Sequence, residues 1–463
     1  MDRRGFLVGG AAVASLAGSA RAQPEDLRGA AREAWLYGLP LIETARLRVA
    51  AIGPRPKPGT PGFNSFLHQR DPAGPEDRVF SAAEADVLYS SAWIHLGGDG
   101  GKVIIPPSGG RYVCVALFDM YGNAFEVFES RGAGDEGRVI NLVGPPKRMG
   151  FGDYTAQMPD LGLVLRPVVH APGPWVWALA RNDLEGPQDL ASARQYQDAL
   201  EVRVKPSEPA LALPAPLDAT WSDYFFAVQK LIEENPPPRE EIEFFRRISP
   251  LQLSPAGDFE RARFADPDEE AVAAGVNEAQ ILAVETRAAE SGVGWMWPKP
   301  ALGAYGEDFL YRARTLLTQP GAPPRTVIAP LRAVAADGSL SFPSGGHYRL
   351  TLPGPPPADG PWSLTLYEAA PDGRLWLARN PIGRHALGAW SPGLTRRADG
   401  AIDIWIGRVD PGGAHSPNWL PAPASAPFAL VLRAYAPGDA LLERRYRPPP
   451  VEALGAPPPR SAR

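Results

Sequence analysis

The 463-residue sequence is poor in the residues that most often carry metal, disulfide or thiol chemistry. It has one cysteine and six histidines, and no two histidines stand at the spacing of paired metal ligands. A single cysteine cannot form a disulfide within the chain. Cys114 lies in the apolar, β-branched run 111–118, which predicts a buried and unreactive thiol. We therefore expect no disulfide framework, no metal site and no cofactor, although a site assembled from distant residues stays open.

Familiar catalytic and phosphate-binding signatures are also missing. The sequence contains no G-x-S-x-G elbow, no P-loop, no H-E-x-x-H and no dinucleotide fingerprint after a strand. The glycine-rich run 97–101 joins two predicted strands, which favours a hairpin turn over a phosphate loop. The formal net charge is −5 and there is no run of Lys or Arg. We therefore expect no nucleic-acid partner.

Long apolar runs are confined to the start of the chain. Residues 1–22 combine a basic start, an apolar stretch from Phe6 to Ala17 and a small-x-small site at Ala20-Arg21-Ala22. Arg3-Arg4-Gly5-Phe6-Leu7 matches the twin-arginine export pattern. An ordinary secretory signal and an uncleaved anchor are the alternatives. We expect cleavage before Gln23, a periplasmic or secreted protein, and no transmembrane segment after the signal is removed, because a span needs roughly 20 apolar residues.

Proline and glycine are abundant, and their distribution predicts a mainly β, α+β protein. There are 54 Pro and 48 Gly beside 44% hydrophobic residues, which is typical of a folded chain with many turns. Regularly spaced strands are predicted in two blocks. The first block has strands at 89–96, 102–105, 112–118, 124–129, 139–143, 161–166 and 174–179. The second has strands at 327–335, 348–352, 362–368, 375–379, 402–406 and 428–435.

Helical periodicity appears before the first block and between the two blocks. Apolar spacing predicts an amphipathic helix over 25–48, kinked at Pro40, and further helices over 188–203, 219–234, 266–290 and 306–317. Asp266-Pro267 with Glu269 is a helix-start signal. The predicted organisation is a signal peptide (1–22), an N-terminal helix and β-sandwich domain (23–185), a helical middle segment (186–320), a C-terminal jelly-roll-like β-sandwich (321–447) and a flexible tail (448–463).

Polar residues inside the strand-like segments are the candidates for chemistry. Asp86 and Tyr89 stand at the start of one predicted strand, and Asp119 ends another. A carboxylate and a phenol in a loop held by a rigid scaffold could act as acid or base. The alternative interpretation is structural, since Asp and Asn commonly bond the backbone of their own turns. We take Asp86, Asp119 and Tyr89 as candidate catalytic residues.

The C-terminal block supplies candidate ligand-binding residues. Arg384 and Arg433 could each clamp an anion by two parallel hydrogen bonds, or could be structural arginines paired with acids between the sheets. Asn380 precedes Pro381, and Asn418-Trp419 precedes Leu-Pro. Each asparagine could cap a turn, and Trp419 could cover the edge of the core.

These segments together resemble a known family. The stretches AWLYGLPLIETARLR, EADVLYSSAWIHL, RYVCVALFDMYGNAF and VINLVGP are similar to domain of unknown function 1254. The stretches DGSLSFPSGGHYRLTL, WSLTLYE, ARNPIGRHALG, RADGAIDIWI, PNWLPAP and FALVLRAYAP are similar to domain of unknown function 1214. Pro361 and His385 depart from the usual pattern. The resemblance implies a β-sandwich, a helical insert and a jelly-roll-like domain, with no agreed reaction, and shared polar positions at Asp86, Tyr89, Asp119, Asn380, Arg384, Asn418 and Arg433.

Two functional hypotheses follow. The first is an exported hydrolase or lyase acting on a small polar or anionic molecule in a cleft between the two β domains, with Asp86 or Asp119 as acid or base and Arg384 or Arg433 holding an anionic group. The second is a periplasmic protein that binds a ligand or an envelope component without chemistry. Turnover would separate the two, and the sequence does not specify an oligomeric state.

Overall fold

The computed structural model describes residues 24–96, 100–131, 136–145, 168–285 and 294–454. Over these residues the chain is mixed α+β with more strand than helix, and it forms two β-sandwiches and a helical layer. The mainly β, α+β fold predicted from the sequence is therefore confirmed. The predicted signal peptide and the predicted strand at 161–166 lie outside the described residues.

The N-terminal sandwich contains two sheets. Its strands are β1 (Leu67–His68), β2 (Val87–His95), β3 (Gly101–Ile105), β4 (Val113–Phe118), β5 (Ala124–Glu129), β6 (Arg138–Val143), β7 (Val168–His170), β8 (Trp175–Asp183) and β9 (Glu201–Val204). One sheet has the order β1-β2-β8-β4-β5 and the other β7-β6-β3-β9. Val113, Val115 and Leu117 point into the core between the sheets, while Cys114 and Phe118 point away from it. All six residues of β4 are buried because both faces of its sheet are covered.

The N-terminal sandwich extends past residue 185, where the predicted boundary lies. The helix predicted over 188–203 ends at Asp198, and strand β9 follows it and pairs with β3. The local sequence Glu-Val-Arg-Val alternates polar and apolar residues, and Val202 and Val204 pack on the core of the sandwich. The predicted helix was extended into this strand because alternation over only four residues is a weaker signal than the longer helical pattern before it.

Seven helices occur in the described residues. They are α1 (Pro24–Ile52), α2 (Leu190–Asp198), α3 (Trp221–Glu234), α4 (Ile242–Arg247), α5 (Asp266–Val284), α6 (Phe309–Thr318) and α7 (Asp439–Leu442). Short 3-10 turns lie at 187–189, 239–241, 249–251, 261–263 and 413–418. Helix α1 continues through Pro40 to Ile52. None of the described helices has both the length and the apolar character that crossing a bilayer requires.

Glycines allow the helical layer to pack closely around α1. A Cβ atom on Gly38 would lie 2.5 Å from Cγ2 of Val228 on α3. A Cβ atom on Gly275 of α5 would lie 2.1 Å from the carbonyl oxygen of Arg28 on α1. Both distances are shorter than van der Waals contact, so glycine is required at these helix crossings despite its cost in a helix interior.

The C-terminal sandwich contains the remaining strands. They are β10 (Trp295–Met296), β11 (Ile328–Ala333), β12 (His347–Leu352), β13 (Trp362–Ala369), β14 (Leu375–Leu377), β15 (Ala386–Gly388), β16 (Ile402–Gly407), β17 (Trp419–Pro421), β18 (Phe428–Tyr435) and β19 (Glu452–Leu454). One sheet has the order β10-β11-β18-β13-β14, with β15 also on β13, and the other β17-β16-β12-β19. Part of the tail predicted to be flexible, residues 452–454, thus forms a strand that pairs with β12.

Each sandwich turns the outer face of one sheet toward the same central core. In the N-terminal sandwich this face includes Tyr112, Cys114 and Trp177, and in the C-terminal sandwich it includes Tyr367 and Val431. Helices α1, α3, α5 and α6 contribute to the same core. This shared core brings polar residues from the two sandwiches into contact.

Candidate functional site

The two sandwiches meet directly through their inward-facing sheets. The ring of Tyr112, just before β4, lies edge-on to the ring of Tyr435 on β18, with centroids 5.4 Å apart. The Tyr112 hydroxyl donates to the carbonyl oxygen of Val327 at 3.1 Å. Both side chains are buried. The contact between the β domains is therefore continuous protein interior at this point.

A buried carboxylate links an arginine of each sandwich. Oε1 of Glu84 accepts a hydrogen bond from Nε of Arg181 on β8 at 3.2 Å, and it lies 3.4 Å from Nε of Arg433 on β18. The side chains of all three residues are at most 2% exposed. Buried charges are stable only when paired and hydrogen bonded, so Glu84 is the residue that allows both arginines to stay in the interface.

Three further N–H groups of these arginines bind protein oxygens. Arg433 donates to the Tyr367 hydroxyl at 2.7 Å and to the carbonyl oxygen of Ala82 at 2.8 Å. Arg181 donates to the carbonyl oxygen of Gly321 at 2.8 Å. Burial acts to lower the pKa of Arg433, but Tyr367 and Glu84 outweigh it and the pKa is raised. Arg433 is therefore a charged residue held between the domains.

Tyr89 belongs to the same cluster. Its hydroxyl accepts a hydrogen bond from the backbone N–H of Glu84 at 3.0 Å. The guanidinium of Arg181 lies over its ring, 5.5 Å from the centroid. Tyr89 thus positions the segment that carries Glu84 and packs against one of its partners.

Two aspartates complete the cluster, which we call the interdomain cluster (Glu84, Asp86, Arg181, Asp183 and Arg433). Val87 pairs with Asp183 across β2 and β8, and the N–H of Leu184 donates to the carbonyl oxygen of Asp86 at 3.1 Å. The two aspartates therefore stand on adjoining positions of neighbouring strands. Oδ2 of Asp183 accepts a hydrogen bond from the indole N–H of Trp390 at 2.7 Å.

The pKa values of both aspartates are raised, which favours their protonated forms. Burial and the neighbouring charge of Asp86 raise the pKa of Asp183 to about 8. Burial also raises the pKa of Asp86, which the Ser363 hydroxyl opposes. The cause is the same in each case, because a carboxylate loses its hydration in the interface and faces another negative charge.

The interdomain cluster contains two arginines and three acids. Burial and the charge of Asp86 raise the pKa of Asp183 to about 8, while the hydrogen bond from Trp390 and the charge of Arg111 oppose the shift. Asp183 is therefore a carboxylic acid able to donate a proton at neutral pH.

Asp119 lies outside this cluster. Its Oδ1 accepts hydrogen bonds from the N–H groups of Tyr121 and Asn123 at 2.9 and 2.8 Å, and Oδ2 accepts from Nδ2 of Asn123 at 3.0 Å. Burial raises its pKa to about 6, while the bonds from Asn123 lower it. The side chain stabilises the turn between β4 and β5. This contact corresponds to the structural interpretation of Asp119 and not to the catalytic one.

The other four sequence candidates come together at a different place. The guanidinium of Arg384 donates to the carbonyl oxygens of Ser416, Pro417 and Trp419 at 2.8–3.1 Å. Asn380 bonds the backbone of its own loop at Ile382 and Arg384, and Asn418 bonds Thr395 and Asp403. The Trp419 indole donates to the carbonyl oxygen of Gly407 at 2.8 Å. These residues tie loops of the C-terminal sandwich together.

The structure thus unites Asp86, Tyr89 and Arg433 and separates them from Asp119 and from the Arg384 group. Sequence reasoning missed Glu84, Arg181, Asp183 and Trp390. A signal was available for two of them, because Arg181 and Asp183 are polar residues at the end of the otherwise apolar strand 175–183. Among the described residues, no three His, Cys, Asp or Glu side chains are grouped as a metal site would need.

The fold defines a class of protein in which two β-sandwiches meet at a buried polar interface and share a helical layer. The family comparison agrees with that architecture. Residues 63–204 match the family model described as protein of unknown function DUF1254. Residues 328–439 match the family model described as protein of unknown function DUF1214. The chain belongs to the family of proteins that carry DUF1254 followed by DUF1214, as its resemblance predicted.

The fold is similar to that of a solved structure. The VPA0106 protein from Vibrio parahaemolyticus is similar with a TM-score of 0.62 at 19% identity, covering 93% of this chain and all of that one. An uncharacterised protein from Burkholderia cenocepacia has a TM-score of 0.42 at 12% identity, covering 93% of this chain and 94% of that one. No curated protein matches the chain.

Proposed function

We propose that the protein is an exported hydrolase or lyase that uses acid–base catalysis at the interdomain cluster on a small polar molecule. The observation that carries the proposal is the meeting of Asp86 and Asp183 between the two β domains, with both pKa values raised and that of Asp183 at about 8. Hydrolases and lyases both require a proton donor and a proton acceptor. Catalytic pKa values near the working pH are the most effective for that purpose.

The two aspartates have different roles in this proposal. Asp183 holds a proton at neutral pH and donates it to the leaving group. Asp86 lies beside Arg433 and Ser363, which both favour its ionised form, and accepts the proton from water or from the substrate. Neighbouring acids with separated pKa values are the usual basis for such an assignment.

The charge of the interdomain cluster restricts the substrate. Because both arginines already contact Glu84 and protein oxygens in a cluster with three acids, an added anion would lack a free positive partner there. A neutral polar molecule therefore suits this cluster better than an anionic one. Asp183 is 3% exposed and is bonded to the indole of Trp390, which is 43% exposed. Displacement of Trp390 is the proposed route of the substrate to Asp183.

The decisive experiment is a turnover screen of neutral carboxylate esters and hydroxylated small molecules, in which proton NMR detects the product. We expect a product with the wild-type protein and its loss in Asp183→Asn and Asp86→Asn variants. Asp119→Asn is the matched comparison, because that aspartate is also buried but bonds only its own turn. Loss of turnover in Asp119→Asn alone would overturn the assignment. Ligand binding without any product would favour the non-catalytic alternative.

Export is a separate part of the proposal and has its own test. The twin arginines Arg3 and Arg4 and the site before Gln23 support it. We expect the mature chain in the periplasmic fraction to begin at Gln23. Replacement of both arginines by lysine should retain the protein in the cytoplasm. An unprocessed chain in the cytoplasm of wild-type cells would contradict export and leave the catalytic proposal to its own test.

A further inference from the structure

A second site is suggested by a cavity between the helical layer and the C-terminal sandwich. It encloses about 560 Å³, which lies within the range of roughly 300–1,000 Å³ for small-molecule sites. Its floor is the helix-facing surface of the sheet at Pro330, Arg332 and Val431. Helix α6 and the segment from Trp295 to Pro300 form its walls. None of the residues of the interdomain cluster lines this cavity.

Arg332 is the unusual group on the cavity wall. In strand β11 it pairs with Met296 on one side and with Val431 on the other. Its one hydrogen bond among the described residues runs from Nε to the carbonyl oxygen of Leu340 at 3.3 Å. Burial lowers its pKa to about 10, and no acidic neighbour compensates. A guanidinium in this position is costly unless an anion joins it.

The remaining charges of the cavity leave an excess of positive charge. Lys299 is paired with Asp308 at 2.6 Å, and Arg314 is paired with Glu285 at 2.7 Å. Arg444 lies over the ring of Trp297, 5.8 Å from its centroid. Arg332 and Arg444 therefore have no carboxylate partner in the part of the chain that the structure describes. The cavity is electrostatically complementary to one anionic group.

Apolar and aromatic side chains make up much of the rest of the lining. Met296, Trp297 and Leu310 line the cavity. Met296 pairs with Arg332 across β10 and β11, so the two side chains lie on the same face of the sheet. An apolar wall beside an arginine without a carboxylate partner is the arrangement expected for a ligand with one charged end and an apolar body.

We infer that this cavity binds a medium-chain carboxylic acid, with its carboxylate on Arg332 and its chain against the wall formed by Met296, Trp297 and Leu310. Arg332 supplies the planar pair of N–H donors that matches a carboxylate. The apolar wall removes the hydrocarbon chain from water. The site is distinct from the interdomain cluster, so either function can exist without the other.

The test is calorimetric titration of the full mature chain with decanoate, and with decan-1-ol as the uncharged comparison. We expect decanoate to bind at least about tenfold more tightly than decan-1-ol. Arg332→Met should lower the affinity for decanoate by at least about tenfold, because a charge-assisted hydrogen bond is lost. The affinity for decan-1-ol should stay within about twofold of the wild-type value, because the apolar wall remains. Arg397→Met, at a side chain 54% exposed on the same domain, is the matched control and should bind both as wild type does.

Three outcomes would overturn the inference. They are no decanoate binding by the wild type, equal binding of decanoate and decan-1-ol, and unchanged decanoate binding in Arg332→Met. Methionine keeps much of the volume of the arginine stem, and circular dichroism checks that the variant is folded. Arg332→Lys retains the charge without the planar donors and should bind decanoate with intermediate affinity. Asp183→Asn should bind decanoate normally, which separates this test from that of the proposed catalysis.

Discussion

Arg433 and Arg332 lie on the same face of one sheet, on adjacent strands, yet their surroundings differ. Pro330 pairs with Arg433 and Arg332 pairs with Val431, so the two arginines are neighbours across β11 and β18. Arg433 faces the N-terminal sandwich and finds Glu84, Tyr367 and the carbonyl oxygen of Ala82. Arg332 faces a cavity and donates a hydrogen bond to one carbonyl oxygen, that of Leu340. The difference shows that the opposing layer, and not the residue type, decides whether an arginine on this face of the sheet meets an acid.

The opposing layers explain this contrast. The N-terminal sandwich presents Glu84 to both Arg433 and Arg181, and Asp86 is a second acid close enough to Arg433 for its pKa to be affected. The helical layer presents to Arg332 a wall whose two acids, Glu285 and Asp308, are already paired. Removal of each arginine should therefore have opposite consequences for stability.

The largest effect is expected for Arg433→Met. The substitution removes one of the two cations on Glu84 and one of the two hydrogen bonds to the Ala82 carbonyl oxygen. Breaking a buried ion pair by removing one partner costs about 3–5 kcal/mol. Urea denaturation should show this loss relative to wild type, with Arg397→Met as a control near zero. A loss below about 1 kcal/mol would mean that the interdomain cluster does not hold the domains together.

The next effect is a change in the pH dependence of stability caused by Asp183→Asn. An unfolded aspartate has a pKa near 3.9, whereas that of Asp183 is about 8, so the folded state binds more protons between these values. Wild-type stability should therefore fall as pH rises from about 4 to about 8. The slope is at most about 1.4 kcal/mol per pH unit from this group, so the change over one pH unit is smaller than the loss expected for Arg433→Met.

The Asp183→Asn variant should lack that contribution. Its amide oxygen can still accept from Trp390, so the variant should match wild type near pH 4 and exceed it at pH 9. Thermal melts of both proteins between pH 4 and pH 9 measure the difference. Parallel curves for the two proteins would show that Asp183 is ionised in the folded protein at neutral pH.

The smallest effect is expected for Arg332→Met in the absence of ligand. Arg332 is half-buried and lacks a counter-ion, and replacing such a charge by an apolar side chain is expected to be neutral or stabilising. We expect the free energy of unfolding to stay the same or to rise by about 1 kcal/mol. A loss as large as that of Arg433→Met would show that Arg332 has a structural role equal to that of its neighbour.

Much of the fold was predictable from local patterns. The apolar runs at β4, β13 and β18 predicted strands, and the spacing in α1, α3 and α6 predicted helices. Short elements were missed, such as β9, β15 and β17, because three or four residues carry too little periodicity. The helix start at Asp266 was predicted from Pro267 and the acids beside it, and the capping position lies one residue earlier, at Ala265.

The candidate site was predictable only in part. Asp86, Tyr89 and Arg433 were identified and do lie in one cluster. Their partners Glu84, Arg181 and Asp183 were not, since Arg181 and Arg433 are 252 positions apart in the sequence. Arg384 and Arg433 also had the same two interpretations from the sequence, and their contacts differ because one lies among loop carbonyls and the other beside Glu84.

The sequence alone determined the mainly β architecture, the helical middle and the family resemblance, because these depend on periodicity and on motifs that neighbouring residues form. The tertiary structure alone decided which charges meet. Packing of the two sandwiches places Glu84 between two arginines and leaves Asp183 with a proton. Packing of the helical layer leaves Arg332 without an acid. Electrostatic energies depend on distance and burial, and neither is a property of neighbouring positions in the chain.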